Sequence, residues 1–154
     1  MVELREKPPA EFAQWWAAML VGYREELLGS GMSEADADAN IERNNSQLLD
    51  GDQLVEGQYV LDVIEDSETV GVLWLSDQAP RGQSGWFIYD IVIDEAFRGR
   101  GLGRTTMTAG EEFVKAHGGT RLALNVFGPN RVARNLYESM DYQTMAISMF
   151  KDLS

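Results

Sequence analysis

The chain has 154 residues, of which 44% are hydrophobic and 25% charged, with no cysteine and a formal net charge of −12. That balance is expected of a folded chain with one hydrophobic core, a single domain over residues 1–154, and it excludes disulfides and thiolate metal sites. Nothing approaches the roughly 18 consecutive apolar residues of a membrane span, and the acidity repels phosphate polymers, so neither membrane nor nucleic acid is an expected partner.

The charge is uneven: residues 1–80 carry four Lys and Arg against 17 Asp and Glu, residues 81–154 nine against eight. An acidic first half can attract a cationic amine, and it can equally serve solubility. The start of the chain, Met1 to Pro9, holds four charges and no apolar segment, which is unlike a secretory signal. With the lack of cysteine this suits a reducing cytoplasm.

Val2 and Leu4 alternate with charged residues and suggest a first strand, punctuated by Pro8-Pro9. Phe12, Trp15, Trp16, Met19, Leu20, Tyr23 and Leu27 then recur at helical spacing, ended by Gly29 and Gly31. These aromatics suit a core, and some suit an acceptor pocket. Ser33 with Asp36 three positions on resembles a capping box opening a second helix through Leu49, stopped by Asp50-Gly51-Asp52. Tyr59 to Ile64 and Thr69 to Leu75 are β-rich runs flanking a polar turn, a hairpin signal. Gln78 to Gly85 is a loop. After it come a strand from Trp86 to Ile93, a glycine turn, and a helix carrying Leu102, Thr106, Ala109, Phe113 and Ala116 inward as far as Gly118-Gly119. Arg121 to Phe127 suggests another strand, Asn130 caps a short helix with Val132, Ala133, Leu136, Tyr137 and Met140 on one face, and Tyr142 to Phe150 suggests a closing strand.

The stretch Trp86 to Arg104 carries the chemistry. Its strand is apolar on both alternating sets, as a central strand buried on both faces must be, and Asp90 is its lone carboxylate. Arg98-Gly99-Arg100-Gly101-Leu102-Gly103-Arg104 follows, with a helix directly after. Glycines let the backbone turn N–H groups toward an anion, the helix start adds its dipole, and arginines add charge. This predicts a phosphate-binding turn. No Lys-Ser or Lys-Thr pair exists for a P-loop, and Arg104 stands where the third glycine of a dinucleotide fingerprint should fall.

Arg98, Gly101 and Gly103 fit the R/Q-x-x-G-x-G/A signature of the GNAT family of N-acetyltransferases. A second block, Asn130, Ala133, Leu136-Tyr137-Glu138 and Asp141-Tyr142, resembles the family's C-terminal pattern, with Asp141 in place of a glycine. The element order is similar to the whole fold: α/β (α+β), a mixed central sheet with helices on both faces and splayed central strands. The resemblance implies an acetyl-CoA-dependent transfer to a primary amine, directly and without a covalent enzyme intermediate. It implies that the backbone of Ile91, Val92 and Ile93 pairs with the pantetheine arm. The turn Arg98, Gly99, Arg100, Gly101, Leu102, Gly103 and Arg104 holds the pyrophosphate, and Asn130, with Ala133 and Tyr137 on the same short helix, lines the arm.

For the chemistry, Tyr137 matches the family tyrosine near the cofactor sulfur, as general acid or hydrogen-bond donor to the thiolate, or else packs beside Leu136. Asp90 is the local base, directly or through water, or a structural carboxylate, and an acceptor that arrives deprotonated needs no base. His117, the single histidine, has no second ligand at metal spacing and suits a helix end or the surface; no metal is expected. The acceptor is a small molecule or a peptide or protein amine, and the assembly a monomer or homodimer. The rival readings are a CoA-binding sensor or complex subunit without catalysis, and a protein that uses the turn for a different nucleotide phosphate.

Overall fold

Asp66 and Ser67 both adopt positive φ, 50° and 67°, which is what a two-residue turn needs to match the twist of the strands it joins. They close a hairpin of β4 (Gln58–Glu65) and β5 (Glu68–Ser76), the widest pairing in the computed structural model, which describes residues 1–153. To one side lies β1 (Glu3–Glu6), antiparallel to β4. To the other lie β6 (Trp86–Ile93), antiparallel to β5, and β7 (Leu122–Leu124), parallel to β6. The result is a mixed five-stranded sheet in the order β1-β4-β5-β6-β7.

Helices cover both faces. α1 (Pro9–Gly29) brings Trp15 and Trp16 onto Trp74 of β5, at ring-centroid distances of 5.8 and 5.3 Å. α2 (Glu34–Leu48) is opened as expected by Ser33, whose Oγ accepts from the Asp36 N–H and donates to its carboxylate. A polar network ties the two helices: the Tyr23 hydroxyl donates to Asn40 Oδ1 at 3.0 Å, and Asn44 reaches both. On the opposite face α3 (Leu102–Ala116) buries Leu102, Met107 and Val114 against Leu61, Val63, Leu73 and Leu75, with α4 (Arg131–Ser139) beside it through Leu136, Tyr137 and Met140. Among the described residues no helix is long and apolar enough to cross a membrane.

Three sequence expectations are corrected. The second helix is followed by two short antiparallel strands, β2 (Leu49–Asp50) and β3 (Gln53–Leu54), so Asp50-Gly51-Asp52 is the turn of a small hairpin as well as a helix stop. The strand expected over Arg121 to Phe127 pairs only through Leu122–Leu124; beyond it the chain leaves the sheet, and Asn125 Oδ1 accepts from the Gln83 amide at 3.0 Å. The closing strand expected from Tyr142 to Phe150 does not form: residues 143–153 have no regular structure and are exposed throughout. Alternation alone does not make a strand: no backbone hydrogen bond joins residues 143–153 to the sheet, although the outer edge of β7 is free.

Candidate active site

The site begins with a bulge. Trp74 pairs with Asp90 and Leu75 with Ile88, which leaves Tyr89 without a partner and places Asp90 on the face of Trp74, toward α1. Tyr89 stacks on Trp74 at 4.8 Å. On the other side of β6, pairing with β7 stops at Ile88 and Leu124. From Tyr89 to Ile93 the edge facing away from β5 therefore has no strand partner, and Val92 is exposed. The central strands are splayed, and the gap between them is an open backbone edge.

The edge runs directly into the glycine turn. A single 3-10 turn, Glu95–Phe97, leads to Gly99 and Gly101 at φ of 81° and 77°, and Gly101 caps α3 without any side-chain acceptor or acidic first-turn residue. The first N–H groups of the helix are thus offered outward. A Cβ built on Gly99 or Gly101 meets nothing within 4 Å, so the turn fronts open space; at Gly103 it comes 3.3 Å from Leu136 Cδ2, where α3 packs on α4. The arginines are engaged locally. Arg98 Nε donates to the Ile93 carbonyl at 2.8 Å and braces the end of β6, Arg100 lies over the Phe97 ring at 5.4 Å, and Arg104 donates to Ser139 Oγ, tying α3 to α4. All three remain exposed beside the turn.

α4 approaches from the far side of the gap. Asn130 Oδ1 accepts from the Ala133 N–H at 3.2 Å, as the expected N-cap, which leaves its amide NH₂ to donate elsewhere. The other end closes with the Asp141 N–H on the Glu138 carbonyl and the Tyr142 N–H on the Tyr137 carbonyl, around Asp141 at φ 67°. This helix stop brings the rings of Tyr137 and Tyr142 to 6.0 Å, and the Tyr142 hydroxyl donates to Glu111 of α3 at 3.2 Å. Tyr137 is braced through its neighbour. Since a left-handed Asp is strained by about 1 kcal/mol relative to Gly, Asp141→Gly should raise the unfolding free energy by roughly that amount in a urea titration.

Electrostatics join these elements. Burial, then the nearby Glu26 carboxylate, raises Asp90 to about 6 against a bond from the Ile91 N–H that favours its charged form. Tyr137 is raised by burial, then by Asp90 and Glu26, and so holds its proton firmly. Glu26 itself is raised by partial burial at an otherwise accessible rim position. Burial is also the first cause of the raised values at Tyr23 and Tyr89. Asp90, Glu26 and Tyr137, from β6, α1 and α4, therefore feel one another's charge. Sequence reasoning missed Glu26, because one more glutamate on an acidic helix carries no signal of its own. Of the first-helix aromatics expected in a core or an acceptor pocket, Trp16 is buried core, while Tyr23 stays half-exposed. His117 caps the end of α3, its ring stacked on Phe113 at 4.1 Å. Among the described residues no cluster of His, Asp and Glu is placed to hold a metal ion.

The profile of the acetyltransferase (GNAT) family matches residues 16–142, which takes in the bulged strand, the glycine turn and α4. The chain belongs to the GNAT family. Among GNAT relatives it is 29% identical to the uncharacterized N-acetyltransferase YdgE of Bacillus subtilis over 152 residues, 97% of each chain. It is 32% identical to YycN of the same organism over 90 residues, 58% of each. The crystal structure of the YycN acetyltransferase superposes with a TM-score of 0.88 at 26% identity, covering 100% of this chain and 99% of that one. AAC(6')-Iy, solved in complex with the bisubstrate analog CoA-S-monomethyl-acetylneamine, shares the GNAT fold at a TM-score of 0.59 and 14% identity, covering 100% of this chain and 99% of that one.

Proposed function

We propose that the protein transfers an acetyl group from acetyl-CoA directly to an amine. The observation that carries this reading is the free β6 edge, joined by Asp94 and one 3-10 turn to the left-handed turn at the start of α3. An amide-rich arm can add to such an edge as a strand does, and a pyrophosphate suits the helix start. The open space in front of Gly99 and Gly101 fits a bound group, and the fold-mate AAC(6')-Iy carries a CoA-based analog. Ile91, Val92 and Ile93 then hold the pantetheine arm by their backbone, and the amides from Gly99 to Arg104 hold the pyrophosphate under the arginine charges. Asn130 donates its free NH₂ group to the arm, and Ala133 and Tyr137 face it from α4.

The thioester supplies the activated acetyl group. The chain supplies the rest. A backbone N–H at Val92 or Ile93 donates to the carbonyl oxygen as negative charge develops there, an effect worth about 3–4 kcal/mol in comparable sites. Asp90 accepts the proton that the amine loses, directly or through one water, and Tyr137 returns a proton to the departing thiolate. Glu26 beside Asp90 makes the mouth negative, which favours an acceptor that arrives as a cation.

Gly101 and Gly103 of the turn separate by variant. Gly101→Val forces a β-branched residue to φ 77° and should chiefly weaken acetyl-CoA binding in calorimetric titration. Gly103→Val presses on Leu136 and should chiefly lower the melting temperature, by an overpacking cost of about 1–3 kcal/mol. The reading itself is tested by thiol release from acetyl-CoA with a panel of amines. Turnover with any member supports it, binding without turnover across the panel replaces it with a CoA sensor, and absence of binding ends both.

A further inference from the structure

Glu26 of α1 and Asp90 of β6 feel each other's charge, and no cation of the chain answers either of them. Their placement is fixed by packing. Trp16 lies on Trp74 at 5.3 Å, and Trp74 pairs with Asp90 and carries Tyr89 stacked on it at 4.8 Å. α1 therefore runs over the bulge, and Tyr23 and Glu26, three positions apart and so neighbours on the helix surface, follow Trp16 toward its end. There Glu26 acts on Asp90 and Tyr137, and Tyr23 acts on Tyr89, so these side chains of α1, β6 and α4 share one field. α2 holds the wall in place: the Tyr23 hydroxyl donates to Asn40 at 3.0 Å, and Arg24 Nε donates to Asp38 at 2.8 Å.

The charge in this field is one-sided. Nearby cations are committed elsewhere, Arg24 to Asp38 and Glu34 of α2 and Arg98 to the Ile93 carbonyl. Among the described residues no Lys or Arg forms an ion pair with Glu26 or with Asp90. Two like charges within reach of each other oppose ionisation, so the free protein gains nothing from the arrangement. A single ammonium answers only one of them. Resting on the acetyl-transfer reading, we propose that the acceptor is an aliphatic diamine whose reacting nitrogen lies at Asp90 while its second, protonated nitrogen is held by Glu26 beside Tyr23. The reacting nitrogen gives its proton to Asp90 and forms the C–N bond as the C–S bond breaks, and CoA leaves as the thiol with a proton from Tyr137. The far nitrogen keeps its proton and its ion pair. Acetylation removes one positive charge, so the product's remaining amine has no distal cation to present to Glu26, and one acetyl group per acceptor follows.

Cadaverine and pentylamine, alike in length and differing in one charge, test this on the full chain. The expected kcat/KM for cadaverine exceeds that for pentylamine by roughly tenfold or more, the size of a charge-assisted contact, with a monoacetylated product by mass spectrometry. Glu26→Gln should bring the two acceptors together, and Glu26→Lys should turn the preference toward ε-aminocaproate, whose far end is a carboxylate. Both acceptors meet the same Asp90, so an effect of either variant on the base cancels in the ratio. Equal kcat/KM for cadaverine and pentylamine, or a diamine preference that Glu26→Gln leaves intact, overturns the proposal while the transfer reading stands. Calorimetric titration of the protein with CoA present separates the opposite case. Cadaverine binding that Glu26→Gln weakens roughly tenfold upholds the subsite even where no thiol is released, and the transfer reading then falls alone. No thiol release together with no cadaverine binding, or with binding that the variant leaves unchanged, overturns both.

Discussion

Tyr137→Phe should lower kcat by roughly 10²-fold or more while leaving acetyl-CoA affinity nearly unchanged. The substitution removes one hydroxyl and keeps the ring on Tyr142, so the helix stop that positions it survives. The hydroxyl is a suitable donor because burial, Asp90 and Glu26 all raise it, and it therefore remains protonated across the working range. Steady-state rates together with a binding titration separate the roles. A loss of affinity with kcat intact would make Tyr137 a wall of the cofactor groove, and an unchanged kcat would remove it from proton transfer.

Asp90→Asn should reduce kcat/KM by about 10²–10⁴-fold and abolish a limb of the pH profile. With Asp90 at about 6, its carboxyl is ionised above that value; if it serves as the base, wild-type kcat/KM should rise as pH passes upward through 6, and the Asn variant should lack that rise. The same shift acts on stability in the opposite sense. A carboxyl raised on folding binds its proton more tightly in the native state, so the stability it confers is complete below the unfolded value and is lost as pH rises through 6. The Asn variant, neutral throughout, should gain on wild type across that window, by on the order of 2–3 kcal/mol at about pH 8. Urea titrations at acid and alkaline pH measure the difference. A variant that is both more stable and much less active identifies a charge kept for chemistry rather than for folding.

The sequence carried most of the architecture because its signals were local and agreed with one another. Ser33 with Asp36, the β-rich runs around Asp66-Ser67, Gly101 before α3, and Asn130 before α4 each specify a boundary by backbone chemistry, and each boundary lies where that chemistry puts it. Asp141 supplies the left-handed helix end where the family pattern has glycine. What was not legible depends on where distant elements meet. The Tyr89 bulge, which turns Asp90 toward α1, arises from its pairing with β5 and leaves no mark in an apolar run. Glu26 gains its influence only because α1 ends over the splayed strands. The segment after Tyr142 has the pattern of a strand but pairs with no edge of the sheet, so local alternation alone misplaced it.

The most direct measurement is a crystal structure of the protein with CoA. The account predicts hydrogen bonds from the backbone of Ile91 to Ile93 to the pantetheine amides, pyrophosphate oxygens on the N–H groups between Gly99 and Arg104, and the sulfur within reach of the Tyr137 hydroxyl. A pyrophosphate bound elsewhere, or an arm that leaves the β6 edge bare, would contradict it.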